Sequence, residues 1–147
     1  MKNKFVILGA GGVGTVIGSA LAEKHYEETL LIGRKEHVSA INSSGCGITG
    51  SVNKNIRAHA SENITEPLEN TLLIIAVKIT DLENTLNGIK NLIKESTSLL
   101  LVQNGYGVKE TARKTLSGIL PTENVFQAVV TFGAVLTSHG KVELYPG

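Results

Sequence analysis

The chain has 147 residues, of which 41% are hydrophobic and 18% charged, a composition typical of one globular domain and not of a disordered chain. A net charge of +1 gives no reason to expect binding to nucleic acid or a membrane surface, and no apolar run is long enough to cross a bilayer. The single cysteine, Cys46, excludes an internal disulfide and suits a reducing cytoplasm. The four histidines show no metal-ligand spacing. We therefore expect a cytoplasmic protein with no metal, nucleic-acid or membrane partner.

Short apolar runs alternate along the chain with segments of helical periodicity. Strands are predicted at 4–8, 29–32, 72–77, 98–102, 125–130 and 141–145. Helices are predicted at 13–24, 35–42 and 109–116, with one more from a capping box at Thr80–Glu83. The polar, glycine-rich segment 43–66 predicts short strands and loops. This alternation indicates an α/β fold with a doubly wound, mostly parallel sheet and helices on both faces.

Two of these helices carry an apolar stripe at helical spacing. In the first helix the stripe is Val13, Ile17 and Leu21. In the helix after the capping box it is Leu82, Leu86, Ile89 and Ile93. We expect both stripes to face the sheet.

A glycine-rich loop joins the first predicted strand to the first predicted helix. Its residues are Gly9, Ala10, Gly11, Gly12, Val13 and Gly14, which match the pattern G-x-G-x-x-G. Between a strand and a helix, this pattern is typical of Rossmann-type folds that bind the pyrophosphate of a dinucleotide. The helix that follows offers free N–H groups and a partial positive charge to the phosphates. The alternative interpretation is a structural turn with no ligand.

The end of the second predicted strand favours NADP over NAD. NAD-binding domains place a carboxylate about 20 residues after the glycine loop, where it holds the ribose 2′-hydroxyl. Here the strand end reads Ile32, Gly33, Arg34 and Lys35. An arginine can bind a 2′-phosphate through two parallel N–H groups, whereas a carboxylate would repel it. We expect Arg34, assisted by Lys35, to select NADPH, although a solvated basic pair is the plainer alternative.

Two more polar residues follow predicted strands, at the edge of the sheet where α/β proteins bind ligands. Lys78 follows the run 72–77, and Asn104 follows 98–103. An ammonium at Lys78 could meet a carboxylate or phosphate, and the Asn104 amide could donate to one ligand group and accept from another. The alternatives are a surface lysine and a turn asparagine before Gly105.

These motifs together resemble the N-terminal half of the ketopantoate reductase (2-dehydropantoate 2-reductase) family. The resemblance rests on the glycine loop, Gly33-Arg34, Ala76-Val77-Lys78 and Gln103-Asn104-Gly105-Tyr106-Gly107, with a looser match at 131–134 and 139–142. It covers almost the whole chain and implies NADPH-dependent reduction of ketopantoate to pantoate, on the route to pantothenate and coenzyme A. It also implies that Gly9–Gly14 bind pyrophosphate, Arg34 binds the 2′-phosphate, Lys78 and Asn104 lie near nicotinamide and substrate, and Ala134 contacts the cofactor.

The family has a second, helical domain that carries its proton-donating lysine, and no residue here matches that domain. We therefore expect residues 1–147 to form one dinucleotide-binding domain without a catalytic residue of its own. The ending Tyr145-Pro146-Gly147 suggests a larger parent protein. Two alternatives stay open: a stand-alone NADP-binding regulatory module, and the cofactor domain of a related dehydrogenase for another 2-keto acid or a phosphorylated substrate. A homodimer is left open as well.

Overall fold

The computed structural model describes residues 4–147, in which β-strands alternate with α-helices. The strands are β1 (Phe5–Leu8), β2 (Thr29–Ile32), β3 (Cys46–Gly50), β4 (Lys54–Ile56), β5 (His59–Ser61), β6 (Leu72–Ile75), β7 (Ser98–Leu101), β8 (Val125–Gln127), β9 (Gly133–Ser138) and β10 (Lys141–Tyr145). The α-helices are α1 (Gly12–Lys24), α2 (Lys35–Ser44), α3 (Leu82–Ile89) and α4 (Val108–Thr115). None of the helices within residues 4–147 combines the length and the apolar composition that a membrane-spanning helix requires.

A six-stranded parallel sheet forms the centre of the domain. Its strand order is β5-β2-β1-β6-β7-β8, and every neighbouring pair is parallel. Counted along the chain within this sheet, the order is the third, second, first, fourth, fifth and sixth strand, as in dinucleotide-binding folds. The chain therefore changes direction across the sheet between β1 and β6, and this switch point is where such folds bind their ligands. The predicted doubly wound fold is confirmed.

Alternation along the parallel strands divides the core between the two faces of the sheet. Val6 and Leu73 belong to a cluster that α3 covers with Leu82 and Leu86 and α4 with Val108 and Ala112, together with Leu116 directly after α4. Ile7 and Ile74 point the other way, into a cluster that includes Ala22 of α1 and Ile41 of α2. Adjacent residues of one strand thus serve opposite faces, which explains the continuous apolar runs in the sequence.

Helix α1 lies on the sheet through its smallest residues. Its buried positions are Gly14, Thr15, Gly18, Ser19 and Ala22, whereas Val13, Ile17 and Leu21 are only half-buried. A Cβ on Gly18 would lie 2.6 Å from Cγ of Leu31, so the helix approaches β2 too closely for a larger side chain. The predicted stripe does contact the core, but the face in closest contact is the small-residue face beside it.

A second, four-stranded sheet of order β4-β3-β10-β9 lies against α1. It combines the antiparallel pairs β3–β4 and β9–β10 with a parallel pair between β3 and β10. The sequence predicted β10 and short strands within 43–66, but it did not predict β9. Its apolar run, Ala134–Leu136, is only three residues long, five of its six residues are exposed, and the strand is held by its pairing with β10.

Two other sequence-based predictions need correction. The capping box at Thr80–Glu83 does not form, because a 3-10 turn covers Ile79–Asp81 and α3 starts at Leu82 without a side-chain capping bond from Asp81. The strand predicted at 125–130 ends at Gln127. The Ala128 N–H still bonds to the carbonyl of Leu101, but Val130 bonds to the side chain of Asn104 and not to a neighbouring strand. The stripe Leu82, Leu86, Ile89 and Ile93 does face the core as predicted.

Candidate functional site

The predicted site residues gather at one edge of the parallel sheet because four strands end in register. Leu8 pairs with both Ile32 and Ile75, and Ile75 pairs with Leu101. The segments that follow these residues begin at Gly9, Gly33, Ala76 and Val102, so they emerge side by side. At about 4.8 Å between strands, the segments after β2 and β7 are about 14 Å apart, with the glycine loop between them at the switch point.

The first and last glycines of the loop are required by the packing of the chain on itself. Gly9 has a φ of 105°, a left-handed conformation that favours glycine, and a Cβ there would lie 2.8 Å from the backbone of Ala76 and Val77. A Cβ on Gly14 would overlap the carbonyl oxygen of Gly9 and approach Ala76. The loop therefore folds tightly against the start of α1 and the end of β6.

The two middle glycines differ from each other. A Cβ on Gly12 would overlap the backbone carbonyl of Ala134, so the start of β9 closes on the loop there. A Cβ on Gly11 would meet nothing within 4 Å, and its φ of −87° suits any residue. Gly11 is also the N-cap of α1, which has no side-chain cap and no acidic residue in its first turn. The loop thus presents an open face with the unpaired N–H groups of a helix start.

Arg34 lies at the end of β2, two residues beyond Ile32, and is the N-cap of α2. Its side chain is exposed and makes no capping bond, and among residues 4–147 the guanidinium has no carboxylate partner. Lys35 and Glu36 follow in the first turn of α2 and are exposed as well. No contact within the described chain accounts for an arginine at this position.

Lys78 and Asn104 lie on the other side of the switch point and differ in their contacts. Lys78 is exposed at the start of the 3-10 turn, and its ammonium has no partner in the described part of the chain. The Asn104 amide donates to the carbonyl of Val130 at 2.9 Å and accepts from the Val130 N–H at 3.1 Å. Asn104 therefore fastens the end of β7 to the segment after β8. One donor and one acceptor site of the amide remain available to a ligand.

Two glutamines that the sequence analysis did not single out brace this edge. Gln103 Nε2 donates to the carbonyl of Val77 at 2.9 Å, next to Lys78. Gln127 Nε2 donates to the carbonyl of Gln103 at 3.1 Å and to that of Gly105 at 3.3 Å. These bonds tie the ends of β6, β7 and β8 together. The sequence signal for Gln103 is a polar residue directly after a predicted buried strand.

His37 is a second feature that the sequence analysis missed. It is buried in α2, where its Nε2 lies 2.9 Å from Thr15 Oγ1 of α1. Its Nδ1 accepts from the N–H of Gly140, in the β9–β10 turn, at 2.8 Å. Burial, followed by the charge of His139, lowers the pKa of His37 below its ordinary value. The helical spacing of His37, Val38 and Ile41, all buried, is the pattern that could have revealed it.

Cys46 lies in the core, and burial raises the pKa of its thiol to about 11. It is therefore protonated at neutral pH and is no nucleophile. Among residues 4–147, no three His, Cys, Asp or Glu side chains are grouped so that they could hold a metal ion.

Known proteins match this chain over nearly its whole length. The 2-dehydropantoate 2-reductase of Pyrococcus horikoshii is 35% identical over 140 residues, which cover 95% of this chain and 44% of that relative. A PanE/ApbA family ketopantoate reductase from Ralstonia eutropha superposes with a TM-score of 0.79 at 28% identity, over 100% of this chain and 47% of the other. A D-mandelate dehydrogenase in complex with NADH and anilino(oxo)acetate superposes with a TM-score of 0.81 at 28% identity, over 100% of this chain and 46% of the other.

The chain thus spans about 44% of the length of the Pyrococcus relative. The family model described as ketopantoate reductase PanE/ApbA matches residues 5–145, which include the glycine loop, Arg34, Lys78, Asn104 and Ala134. The loop, the strand order and the polar strand ends all lie within this match. The chain belongs to the ketopantoate reductase PanE/ApbA family.

Proposed function

We propose that this chain is the NADPH-binding domain of a 2-dehydropantoate 2-reductase, which reduces ketopantoate to pantoate. The observation that carries the proposal is a contrast between the glycines at the switch point. The space beside Gly11 is open, whereas the space that a Cβ would take at Gly9, Gly12 or Gly14 is already occupied by other atoms of the chain. Arg34 and Lys78 flank this open face with side chains that have no partner in residues 4–147. Family membership supplies the reaction class.

The residues at this edge fit a dinucleotide phosphate. The start of α1 offers unpaired N–H groups, and the open space at Gly11 lets a pyrophosphate approach the backbone. Ala134 lies against the loop through its carbonyl, so β9 would form a wall of the same cleft. Arg34 is the group suited to a 2′-phosphate, because its free guanidinium can form two parallel charge-assisted hydrogen bonds.

Lys78 and Asn104 would act on the nicotinamide side of the site. The Lys78 ammonium can hold the carboxylate of a 2-keto acid, and the free N–H of Asn104 can orient a carbonyl oxygen. When bound, the reduced nicotinamide supplies the hydride. The keto oxygen also needs a proton, and we assign that step to a lysine outside this chain, in the helical domain typical of the family.

Exposed apolar residues near this edge support a further domain. Ile79 is 47%, Val129 79% and Tyr106 fully exposed. Ile79 and Val129 are next to Lys78 and Val130 along the chain, and Tyr106 is two residues after Asn104. Large apolar side chains grouped at the rim of a polar site are typical of a surface that another domain covers. The proposal also places the protein in a reducing cytoplasm, which the single buried Cys46 supports.

The cofactor assignment is tested by titrating the purified chain with NADPH and NADH and following the fluorescence of the dihydronicotinamide. We expect tighter binding of NADPH by roughly 10- to 150-fold, the range that one charge-assisted hydrogen bond supplies at about 1.5–3 kcal/mol. Equal affinity for the two cofactors would overturn the choice of NADPH, and the absence of binding to either would overturn the cofactor site itself.

The assignment of the proton-donating step to a lysine outside this chain is tested by following NADPH oxidation at 340 nm with ketopantoate. The chain should bind NADPH yet turn over negligibly, because a positioned general acid contributes about 10²–10⁴ in rate and none is assigned here. The matched control is an intact two-domain relative assayed in parallel. Turnover at the rate of that relative would contradict our assignment, and Lys78 would then be the first candidate for the proton donor.

A second candidate is the cofactor domain of a reductase for another 2-keto acid. The similarity to D-mandelate dehydrogenase, at a TM-score of 0.81 over the whole chain, favours this alternative specifically. That protein was solved with NADH, so the alternative also predicts weaker discrimination between the cofactors. The titration above therefore separates the two candidates: a clear preference for NADPH supports the first, and similar affinities or a preference for NADH supports the second.

A further inference from the structure

We propose that His37 is a positioning residue that couples the phosphate loop to the 2′-phosphate end of the cofactor site, and that its protonation releases this coupling. The proposal rests on the proposed cofactor function, but it concerns a residue that lies behind the site and not in it. His37 joins three segments that are far apart in the sequence: the start of α1, the start of α2, and the β9–β10 turn.

The two hydrogen bonds fix the tautomer of the ring. The Gly140 N–H donates to Nδ1 at 2.8 Å, so Nδ1 must carry a lone pair and Nε2 must carry the proton. Nε2 then donates to Thr15 Oγ1, which lies 2.9 Å away. Both ring nitrogens are used, and only the neutral ring can satisfy both partners.

The partners of His37 are parts of the site framework. Thr15 is buried in the first turns of α1, and its N–H bonds to the carbonyl of Gly11. His37 itself lies three residues after Arg34, and a Cβ on Gly33 would lie 3.7 Å from its ring and 3.1 Å from Ala10. The ring thus sets the distance between the glycine loop and the start of α2, which carries Arg34.

The hydrogen bond to Gly140 connects His37 to the second sheet. Gly140 packs on α2, where a Cβ would lie 3.0 Å from Ala40, and it lies in the turn between β9 and β10. The same hairpin closes on Gly12 through the Ala134 carbonyl. The His37–Gly140 bond therefore helps to hold β9 against the loop.

Protonation of His37 would break its hydrogen bond with Gly140. A proton on Nδ1 turns the acceptor into a donor and faces it with the Gly140 N–H, so the bond is lost and an N–H is left buried. Of the charged groups on the surrounding elements, His139 in the hairpin turn acts on the ring and disfavours its charged form. Arg34, Lys35 and Glu36 on α2 and Lys141 on β10 are exposed to solvent. His59 on β5, which packs on α2, is partly exposed, and α1 carries no charge from Gly12 to Ala22.

Cofactor titrations between pH 5.5 and 8 with wild type, H37Q, H37F and H59Q test the proposal. NADH is the key ligand, because it lacks the 2′-phosphate that titrates near pH 6. Wild type should bind both cofactors more weakly as the pH falls through the pKa of His37, which lies below its ordinary value in the folded chain. H37Q offers an acceptor and a donor that do not titrate, so its NADH affinity should not depend on pH in this range. At pH 7.5 its affinity should stay within about threefold of that of wild type, a smaller change than the loss of one hydrogen bond would cause.

H37F should lose at least about tenfold at every pH, because neither Thr15 nor Gly140 keeps its partner, while its far-ultraviolet circular dichroism stays that of a folded chain. H59Q removes a partly exposed histidine of β5 and should behave as wild type. An unchanged pH profile in H37Q, or wild-type affinity in H37F, would overturn the coupling.

An NMR titration of the imidazole nitrogens separates this proposal from the cofactor assignment. At pH 7.5, His37 should be the Nε2–H tautomer, and the Gly140 amide resonance should move in step with protonation of the ring. If wild type binds neither cofactor but these signals appear, the cofactor site is wrong and the coupling within the protein stands. A His37 that is protonated on Nδ1 at neutral pH would overturn the coupling, whatever the cofactor result.

Discussion

The glycine loop and the polar strand ends beside it contain two kinds of residue, one required by the packing of the chain and one that this packing does not explain. Gly9, Gly12 and Gly14 are fixed by the chain itself, because a side chain at any of them would strike backbone atoms. No contact within residues 4–147 explains the residue type at Gly11, Arg34 or Lys78, because Gly11 faces open space and the two side chains have no partner. The first set reports on the fold and the second on a ligand, although all six residues lie within one edge of the sheet. Substitutions should therefore divide the site into a part that carries stability and a part that carries binding.

The largest effect should come from Gly14→Ala. The added Cβ would overlap the carbonyl oxygen of Gly9, and backbone cannot yield as a flexible side chain does. We expect a loss of unfolding free energy at the upper end of about 1–3 kcal/mol, measured by urea denaturation, together with loss of cofactor binding. Gly88→Ala is the matched control, since its Cβ enters open space in α3 and should stabilise the chain by about 0.5–1 kcal/mol. Equal stability of the two variants would contradict the assignment of Gly14 to the fold.

Gly11→Val should separate binding from folding. Its side chain enters the open space at the loop, so the urea midpoint should change little, but that space is where a pyrophosphate would lie. We expect affinity for both NADPH and NADH to fall by up to about 100-fold, the equivalent of about 3 kcal/mol of steric overlap. Gly88→Val adds the same side chain in open space away from the site and should leave affinity unchanged. Normal binding by Gly11→Val would remove the loop from the phosphate site.

Arg34→Ala should change selectivity alone. The guanidinium has no internal partner, so stability should stay within about 0.5 kcal/mol of wild type. NADPH affinity should drop by roughly 10- to 150-fold to the level of NADH, and NADH affinity should hardly change. Arg57→Ala is a control of the same charge, since Arg57 contacts Tyr26 before β2, at the opposite edge of the sheet. A loss of NADH affinity in Arg34→Ala equal to that of NADPH would mean that the residue acts on the fold and not on the phosphate.

The smallest effect should be a dependence of stability on pH. The pKa of His37 is lowered in the fold, so the unfolded chain binds a proton at a higher pH than the folded chain does. Stability from this group is therefore fully present above about pH 6.5 and is lost as the pH falls through the lowered pKa. Urea denaturation of wild type and H37Q between pH 5 and 8 measures the difference. A stability that rises as the pH falls through this range, in wild type but not in H37Q, would contradict the neutral buried ring.

The sequence predicted the parallel sheet well because its strands are buried on both faces. Strands β1, β2, β6 and β7 appear as continuous apolar runs, and their predicted bounds agree with the structure to within two residues. Strand β9 was not predicted, because its apolar run of Ala134, Val135 and Leu136 is only three residues long and the strand is held mainly by its pairing with β10. The His37–Gly140 bond was also beyond the sequence, because the partners are 103 residues apart and meet only after the second sheet has formed.

The position of the bound cofactor tests the central claim most directly. Amide hydrogen exchange of the chain with and without NADPH, read at single residues, reports which backbone groups the ligand protects. We predict protection in the loop Gly9–Gly14, at Gly33–Lys35 and at the start of β9, with little change in β3 and β4. Protection confined instead to a cleft of about 300 Å³ between α3 and α4, lined by Glu83, Asn87, Lys90, Thr111, Lys114 and Thr115, would contradict the account.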